Sequence, residues 1–181
     1  MTAFYFVRHG EPDYPSVGDW SGIPFGKAFA GLTRAGETQI RSAALLLEKE
    51  RPQIVISSPY TRALQSAAIL SGALGIPLRV ERDLHEWDSD RTHTVRDEQE
   101  LLRLCQEHDA CDGIHPAGSE RLWESRQQVR DRVWKVLERY LDYERVVVVG
   151  HAMMMQDVTG EHRFIDYGEI VKWNSTADGT F

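Results

Sequence analysis

The first apolar run of the chain reads FYFVRHGEPDY, from Phe4 to Tyr14. Phe4 to Val7 has the length and side chains of a buried strand. It stops abruptly on Arg8, His9, Gly10 and Glu11. Successive strand residues point to opposite faces, so Arg8 and His9 share one pocket only if the strand ends there and the chain turns at Gly10. The run therefore predicts a strand that carries two basic groups to its carboxyl end.

Three further runs read as strands: Ile54–Ile56, Leu78–Val80 and Val146–Val149. Glu169–Trp173 adds a fifth. The Val146–Val149 run shows no alternation, which predicts burial on both faces, as in a parallel sheet. Helical periodicity lies between the strands. Ile40, Ala43, Ala44 and Leu47 fall on one helix face behind Thr33, a candidate N-cap. Arg62–Leu74 is rich in alanine and leucine and stops at Gly75-Ile76-Pro77. Leu122, Val129, Val133, Val136, Leu137 and Tyr140 make one stripe of a long helix, whose Arg121–Arg139 charges read as a solvated face. Glu98–His108 is another helix. Alternating strands and helices predict a single α/β domain over residues 1–181.

Pro12–Ala30 is rich in Gly, Pro, Asp and Ser and reads as a long functional loop, with Trp20 and Phe25 as pocket walls or buried anchors. Trp87 reads the same way. Loops are also predicted around Asp88–His93 and over Asp109–Gly118.

A chain of 181 residues, 41% hydrophobic and 27% charged, fits one soluble globular domain. Its net charge of −7 opposes binding to nucleic acid or an anionic membrane. Any anion site must then be a local concentration of positive charge. Cys105 and Cys111 have no CxxC or Cys/His ligand spacing, which argues against a zinc site or disulfide framework and fits a reducing cytoplasm. No stretch reaches the length of a membrane span, and the Phe4–Val7 run is too short for a signal-peptide core. The expected location is cytoplasmic.

In open α/β sheets, ligands bind beyond the carboxyl ends of the strands. Arg8-His9 follows the first run, Ser57-Ser58-Pro59-Tyr60-Thr61-Arg62 the second, Asp83-Leu84-His85-Glu86 the third and Gly150-His151 the fourth. Parallel strands would gather two arginines, two histidines and a glutamate at one edge. Guanidiniums beside imidazoles repel one another unless an anion sits among them, and the Arg fork matches phosphate. Helix N-termini after Pro59 and Gly150 would add backbone donors. A neutral imidazole is a competent nucleophile toward phosphorus, and neighbouring arginines keep it neutral. A desolvated carboxyl can protonate the leaving oxygen. Glu86 is the leading candidate, with Glu11, Asp83 and Asp88 as competitors. Glu11 reads rather as holding an arginine or a loop.

Arg8-His9-Gly10-Glu11 after a strand, Ser57-Ser58-Pro59-x-x-Arg62-Ala63-x-Gln65-Ser66, Leu84-x-Glu86 and Gly150-His151 together resemble the histidine phosphatase (phosphoglycerate mutase-like) superfamily. Leu32-Thr33-x-x-Gly36-x-x-Gln39 resembles the family's first helix start. The resemblance implies a three-layer α/β/α sandwich with a mostly parallel sheet. It implies His9 as phosphorylated nucleophile, Arg8, Arg62 and His151 as phosphate ligands, Glu86 as proton donor, and neither metal nor cofactor. Departures are Tyr14-Pro15 where the family often has Trp-Asn, Ser66 for Thr, Ala152 for Gly with its methyl beside the phosphate approach, and Trp87-Asp88 after Glu86.

The expected function is hydrolysis of a small phosphorylated metabolite through a phosphohistidine. A mutase and a non-catalytic phosphate-binding module are the alternatives. A mutase needs a cover against water, and only the Pro12–Ala30 and Asp88–Gly118 regions offer one. The chain is expected as monomer or homodimer, with no nucleic-acid or membrane partner. His85, His93, His108, His115 and His162 read as surface or structural, with His85 nearest the pocket mouth, and Met153–Met155 as core packing.

Overall fold

A computed structural model of the chain describes residues 1–22, 26–95 and 97–174. Five strands build one sheet: β1 Ala3–Arg8, β2 Ile54–Ser57, β3 Leu78–Val80, β4 Arg145–Gly150 and β5 Ile170–Asn174. Their order is β3-β2-β4-β1-β5. β1 to β4 are mutually parallel where they pair, and β5 runs antiparallel to β1. All five predicted strands are present. β1 and β4 each extend one residue further than the apolar pattern, because Arg8 and Gly150 still pair. That register sets His9 and His151 side by side just past the sheet.

The central strands β1, β2 and β4 are buried on both faces, and their residues alternate between two cores. Tyr5, Val7, Val55, Val147 and Val149 face α1 (Arg34–Glu48) and α2 (Thr61–Leu74). Phe4, Phe6, Ile54, Ile56, Val146 and Val148 face α4 (Arg126–Leu137) and α5 (Ala152–Thr159). α3 (Glu98–Ala110) adds Leu104 to the second core. The result is the expected α/β/α sandwich. Burying side chains such as Phe4, Phe6 and Trp123 stabilises by roughly 1.5–3 kcal/mol each relative to exposure. Among the described residues, no helix is long and apolar enough to cross a membrane.

Local signals account for the helix ends. Thr33 caps α1 by accepting the Gly36 N–H, and the predicted face of Ile40, Ala43, Ala44 and Leu47 is buried. Gly75 closes α2 at φ 66°, a left-handed conformation that glycine adopts without strain. The long-helix reading needs two corrections. Leu122 precedes the helix and is 40% exposed, since Ser125 and Gln128 form a capping box that starts α4 at Arg126. Its charged residues are not all solvated: Arg126 and Arg132 turn inward onto Asp157 and Glu124. His108 is likewise buried, against Trp87 and Trp123.

Within the Pro12–Ala30 loop, 3-10 turns form at Tyr14–Gly22 and Gly26–Phe29. Phe25 lies outside the described residues, as does the side chain of Trp20. Cys105 and Cys111 are free thiols.

Candidate active site

β1 ends at Arg8, and the next residue, His9, is held by a backbone bond from its N–H to Gly150 O at 3.0 Å. The chain then turns at Gly10, meeting the condition for Arg8 and His9 to act at one place. Glycine is required there: a Cβ on Gly10 would lie 2.4 Å from Gly36 O, at the start of α1. Gly36 faces the reciprocal constraint from Glu11 O at 2.4 Å. The two glycines let the strand end and the helix start pack backbone to backbone. Glu11 secures the same junction by accepting from the Thr33 hydroxyl, so it holds a loop and no arginine. Ser66 supports it by accepting the Gly10 N–H.

His9 is 3% exposed. Its Nδ1 lies 2.7 Å from Gly10 O, so Nδ1 carries the proton and donates, leaving Nε2 with its lone pair. Arg62 donates its Nε–H to that Nε2 at 3.0 Å, its Nη1 to Lys27 O and its Nη2 toward His151 Nδ1 at 3.4 Å. Arg62 thus links the two imidazoles. His151 is fully buried, and its Nε2–H donates to Ser58 Oγ at 2.7 Å. The two rings stand 5.1 Å apart, edge to face.

Electrostatics keep both imidazoles neutral. Burial, then the Arg62 and Arg8 charges, push the His9 pKa down to about 3. Burial, Arg62 and His9 hold His151 well below the usual histidine range.

Arg8 donates to Ile165 O and lies 4.0 Å over the Tyr167 ring, and its Nε is buried without an acceptor. The Tyr167 ring in turn packs 5.6 Å from His9.

Glu86 is partly buried in the loop after β3 and accepts from three backbone N–H groups: Trp87 at 2.8 Å, Met154 at 2.9 Å and Met153 at 3.4 Å. Burial raises its pKa, and those bonds and Arg62 offset only part of the rise. The donors at the start of α5 therefore serve this carboxylate, where the sequence had pointed to phosphate. The competitors lie elsewhere in the bonding pattern: Glu11 binds Thr33, Asp83 pairs with exposed Arg82, and Asp88 faces His93.

A brace holds Glu86 in place. Arg132 donates to Asp83 O and to Glu86 O, and pairs with Glu124 at 2.6 Å. Glu124 also accepts the Asp88 N–H, and its carbonyl accepts from the Trp87 indole. Ser58, Tyr60, Tyr167 and Arg132 escaped the sequence reading as site residues. Ser58 stood inside the Ser-Ser-Pro motif and could have been flagged; the others carried no local signal. Among the described residues, no group of three or more His, Cys, Asp or Glu is placed to hold a metal ion.

Comparison with known proteins agrees with this arrangement. The sequence profile of the "Histidine phosphatase superfamily (branch 1)" matches residues 4–170. The uncharacterized phosphatase PhoE of Bacillus subtilis is 28% identical over 151 residues, covering 83% of this chain and 72% of that protein. The glucosyl-3-phosphoglycerate phosphatase of Mycobacterium tuberculosis is 35% identical over 80 residues, 44% of this chain. That segment is 34% of the Mycobacterium protein, and a relative from Hydrogenobacter thermophilus is matched over 40% of its length. The chain thus spans less than half of two of these relatives. Among solved structures, YhfR of Bacillus stearothermophilus superposes with a TM-score of 0.74 at 18% identity, covering 100% of this chain and 94% of that one. A mycobacterial glucosyl-3-phosphoglycerate phosphatase gives 0.72 at 19% identity, covering 94% and 89%. These likenesses show a shared fold. The profile runs from β1 to the first residue of β5 and spans every strand end that carries a site residue, so the chain belongs to branch 1 of the histidine phosphatase superfamily.

Proposed function

We propose that the protein is a phosphoric monoester hydrolase that acts on small phosphorylated metabolites through a phosphohistidine at His9. The observation that carries this reading is the bonding of His9: Nδ1 lies against Gly10 O and Nε2 accepts from Arg62, which assigns the lone pair to Nε2. A nucleophile is useful only with its lone pair turned to the reacting centre.

The chemistry follows from these groups. Substrate phosphate takes the guanidinium of Arg62, which moves from His9 Nε2 to the phosphate oxygens. Arg8 supplies charge and its unpartnered Nε–H. His151, fixed by Ser58, adds a further contact. His9 Nε2 attacks phosphorus, the bond to the ester oxygen breaks, and that oxygen takes a proton from Glu86. The alcohol leaves. Water then attacks the phosphohistidine and gives a proton to the Glu86 carboxylate, while the N–P bond breaks. Phosphate departs, and His9 and Glu86 return to their starting states. A carboxyl whose pKa burial raises is suited to both steps. Both named curated relatives are phosphatases, which supports hydrolysis over transfer to a second substrate.

The test is rapid quench with a labelled nitrophenyl phosphate. An acid-labile, base-stable phosphoryl adduct on His9 is expected, turning over to free phosphate and absent from His9→Ala. Turnover without an adduct, or an adduct that persists in His9→Ala, would refute the reading.

A further inference from the structure

A cleft of about 150 Å³ opens beside the cluster, on the side of the proposed proton donor. Tyr60, Trp87, Asp88, Ser89, Asp90 and His93 line it, with two aliphatic side chains. Its place is set by two shared residues. Trp87 directly follows Glu86. Tyr60 packs its ring 5.1 Å from the His151 ring and within 5.2 Å of the Arg62 guanidinium. In-line displacement sends the leaving oxygen away from His9 and toward the group that protonates it. An alcohol leaving along that path, past Glu86, has this cleft before it.

The lining has a definite sign. It contains the carboxylates of Asp88 and Asp90, and among the described lining residues no lysine or arginine. The Asp90 carboxylate is consumed by its own loop, accepting from Thr92, Thr94 and Val95 backbone N–H groups and from the Thr92 hydroxyl. Asp88 is differently placed: one oxygen accepts the Asp90 N–H, and the other lies 3.6 Å from His93 Nδ1. Tyr60 and Trp87 add aromatic rings, whose faces attract cations. The volume matches a handful of atoms, at roughly 30 Å³ for each water-sized group.

We infer that this cleft is the leaving-group subsite, and that its acidic, aromatic lining selects phosphomonoesters of small cationic alcohols against esters that carry a second anionic group. The inference rests on the hydrolase reading for the direction in which the alcohol leaves. Asp88 is its specificity-determining residue, with the Tyr60 and Trp87 rings beside the ammonium.

Binding tests this without chemistry. Calorimetry on His9→Ala at pH 8 would compare three esters of similar length: 2-aminoethyl phosphate, propyl phosphate and phosphoglycolate. The aminoethyl ester should bind about tenfold more tightly than the propyl ester, the scale of one partly desolvated ion pair. Phosphoglycolate should bind most weakly. Asp88→Asn in the same background should close the gap between the aminoethyl and propyl esters, and Asp88→Glu should keep it. Equal affinities, tightest binding of phosphoglycolate, undetectable binding of the aminoethyl ester, or a gap that survives Asp88→Asn would each overturn the subsite. If the Asp88 variants do not fold, the ranking of the three esters decides alone. The expected ranking without a phosphohistidine in the quench experiment would fault only the hydrolase reading; an adduct with equal affinities would fault only the subsite.

Discussion

His9 has every hydrogen-bonding position assigned before a substrate arrives. Its proton is tied to a backbone carbonyl, and its lone pair meets a guanidinium that can transfer to phosphate. Glu86 is the opposite case, a carboxylate whose burial favours the proton while three N–H groups pull against it. The two residues make different demands on substrate. Glu86→Gln removes the proposed proton donor but keeps the shape. It should slow hydrolysis of alkyl phosphates about a hundredfold or more, while nitrophenyl phosphate, with a leaving group that needs no acid, loses much less. Steady-state kcat on both esters checks this, and equal losses would assign the acid elsewhere. At this scale the site was largely legible in the sequence. Arg8 closes β1, and His9, Arg62, Glu86 and His151 lie in the segments that follow strands; a strand's end is a local feature. What each side chain would bond to was not legible. The donors of Met153 and Met154 serve Glu86 because of where the β3 loop meets α5, and no local spacing records that meeting.

Among the elements, α4 departs furthest from its sequence reading. Periodicity marks Val129, Val133, Val136 and Leu137 as its buried stripe, and they are buried. It cannot distinguish a solvated arginine from one that reaches past the stripe. Arg132 reaches the backbone carbonyls of Asp83 and of Glu86 itself and is only 14% exposed in its side chain. We expect Arg132→Met to cost about 3 kcal/mol in denaturant melts, since it leaves the Glu124 carboxylate buried without its partner. It should also lower kcat on alkyl phosphates more than on nitrophenyl phosphate, because the proposed proton donor, Glu86, loses its alignment. A purely structural role would lower both equally. The strands, by contrast, were read within a residue or two, because a short β-branched run between turn signals has few alternatives in a parallel sheet.

For the molecule as a whole, the buried imidazoles link the site to global stability. Between pH 6.5 and about 3, the unfolded chain binds a proton at position 9 that folded His9 refuses, and buried His151 acts in the same direction. Stability therefore falls as the pH drops through this range, by up to about 1.4 kcal/mol per pH unit for each histidine. Glu86 acts in the opposite sense. Its raised pKa lets the folded state hold a proton that the unfolded chain has lost, so its contribution falls as pH rises above the ordinary glutamate range. Denaturant melts at pH 6 and pH 5 should show the histidine slope, reduced in His9→Gln by about 1.4 kcal/mol per pH unit at most. An unchanged slope would mean that folded His9 is already protonated at pH 5.

The sheet order carries one more consequence, for the chain as it is made. β1 is the first strand synthesised, yet it lies between β4 and β5, the last two. Ala3 pairs with Arg145 on one side and Asn174 on the other. Until those segments leave the ribosome, Phe4 and Phe6 have no neighbouring strand, and the nucleophile has no second imidazole beside it. Contacts this distant in sequence are slow to close. The nascent chain therefore carries the apolar side chains of β1 without a neighbouring strand through most of its translation.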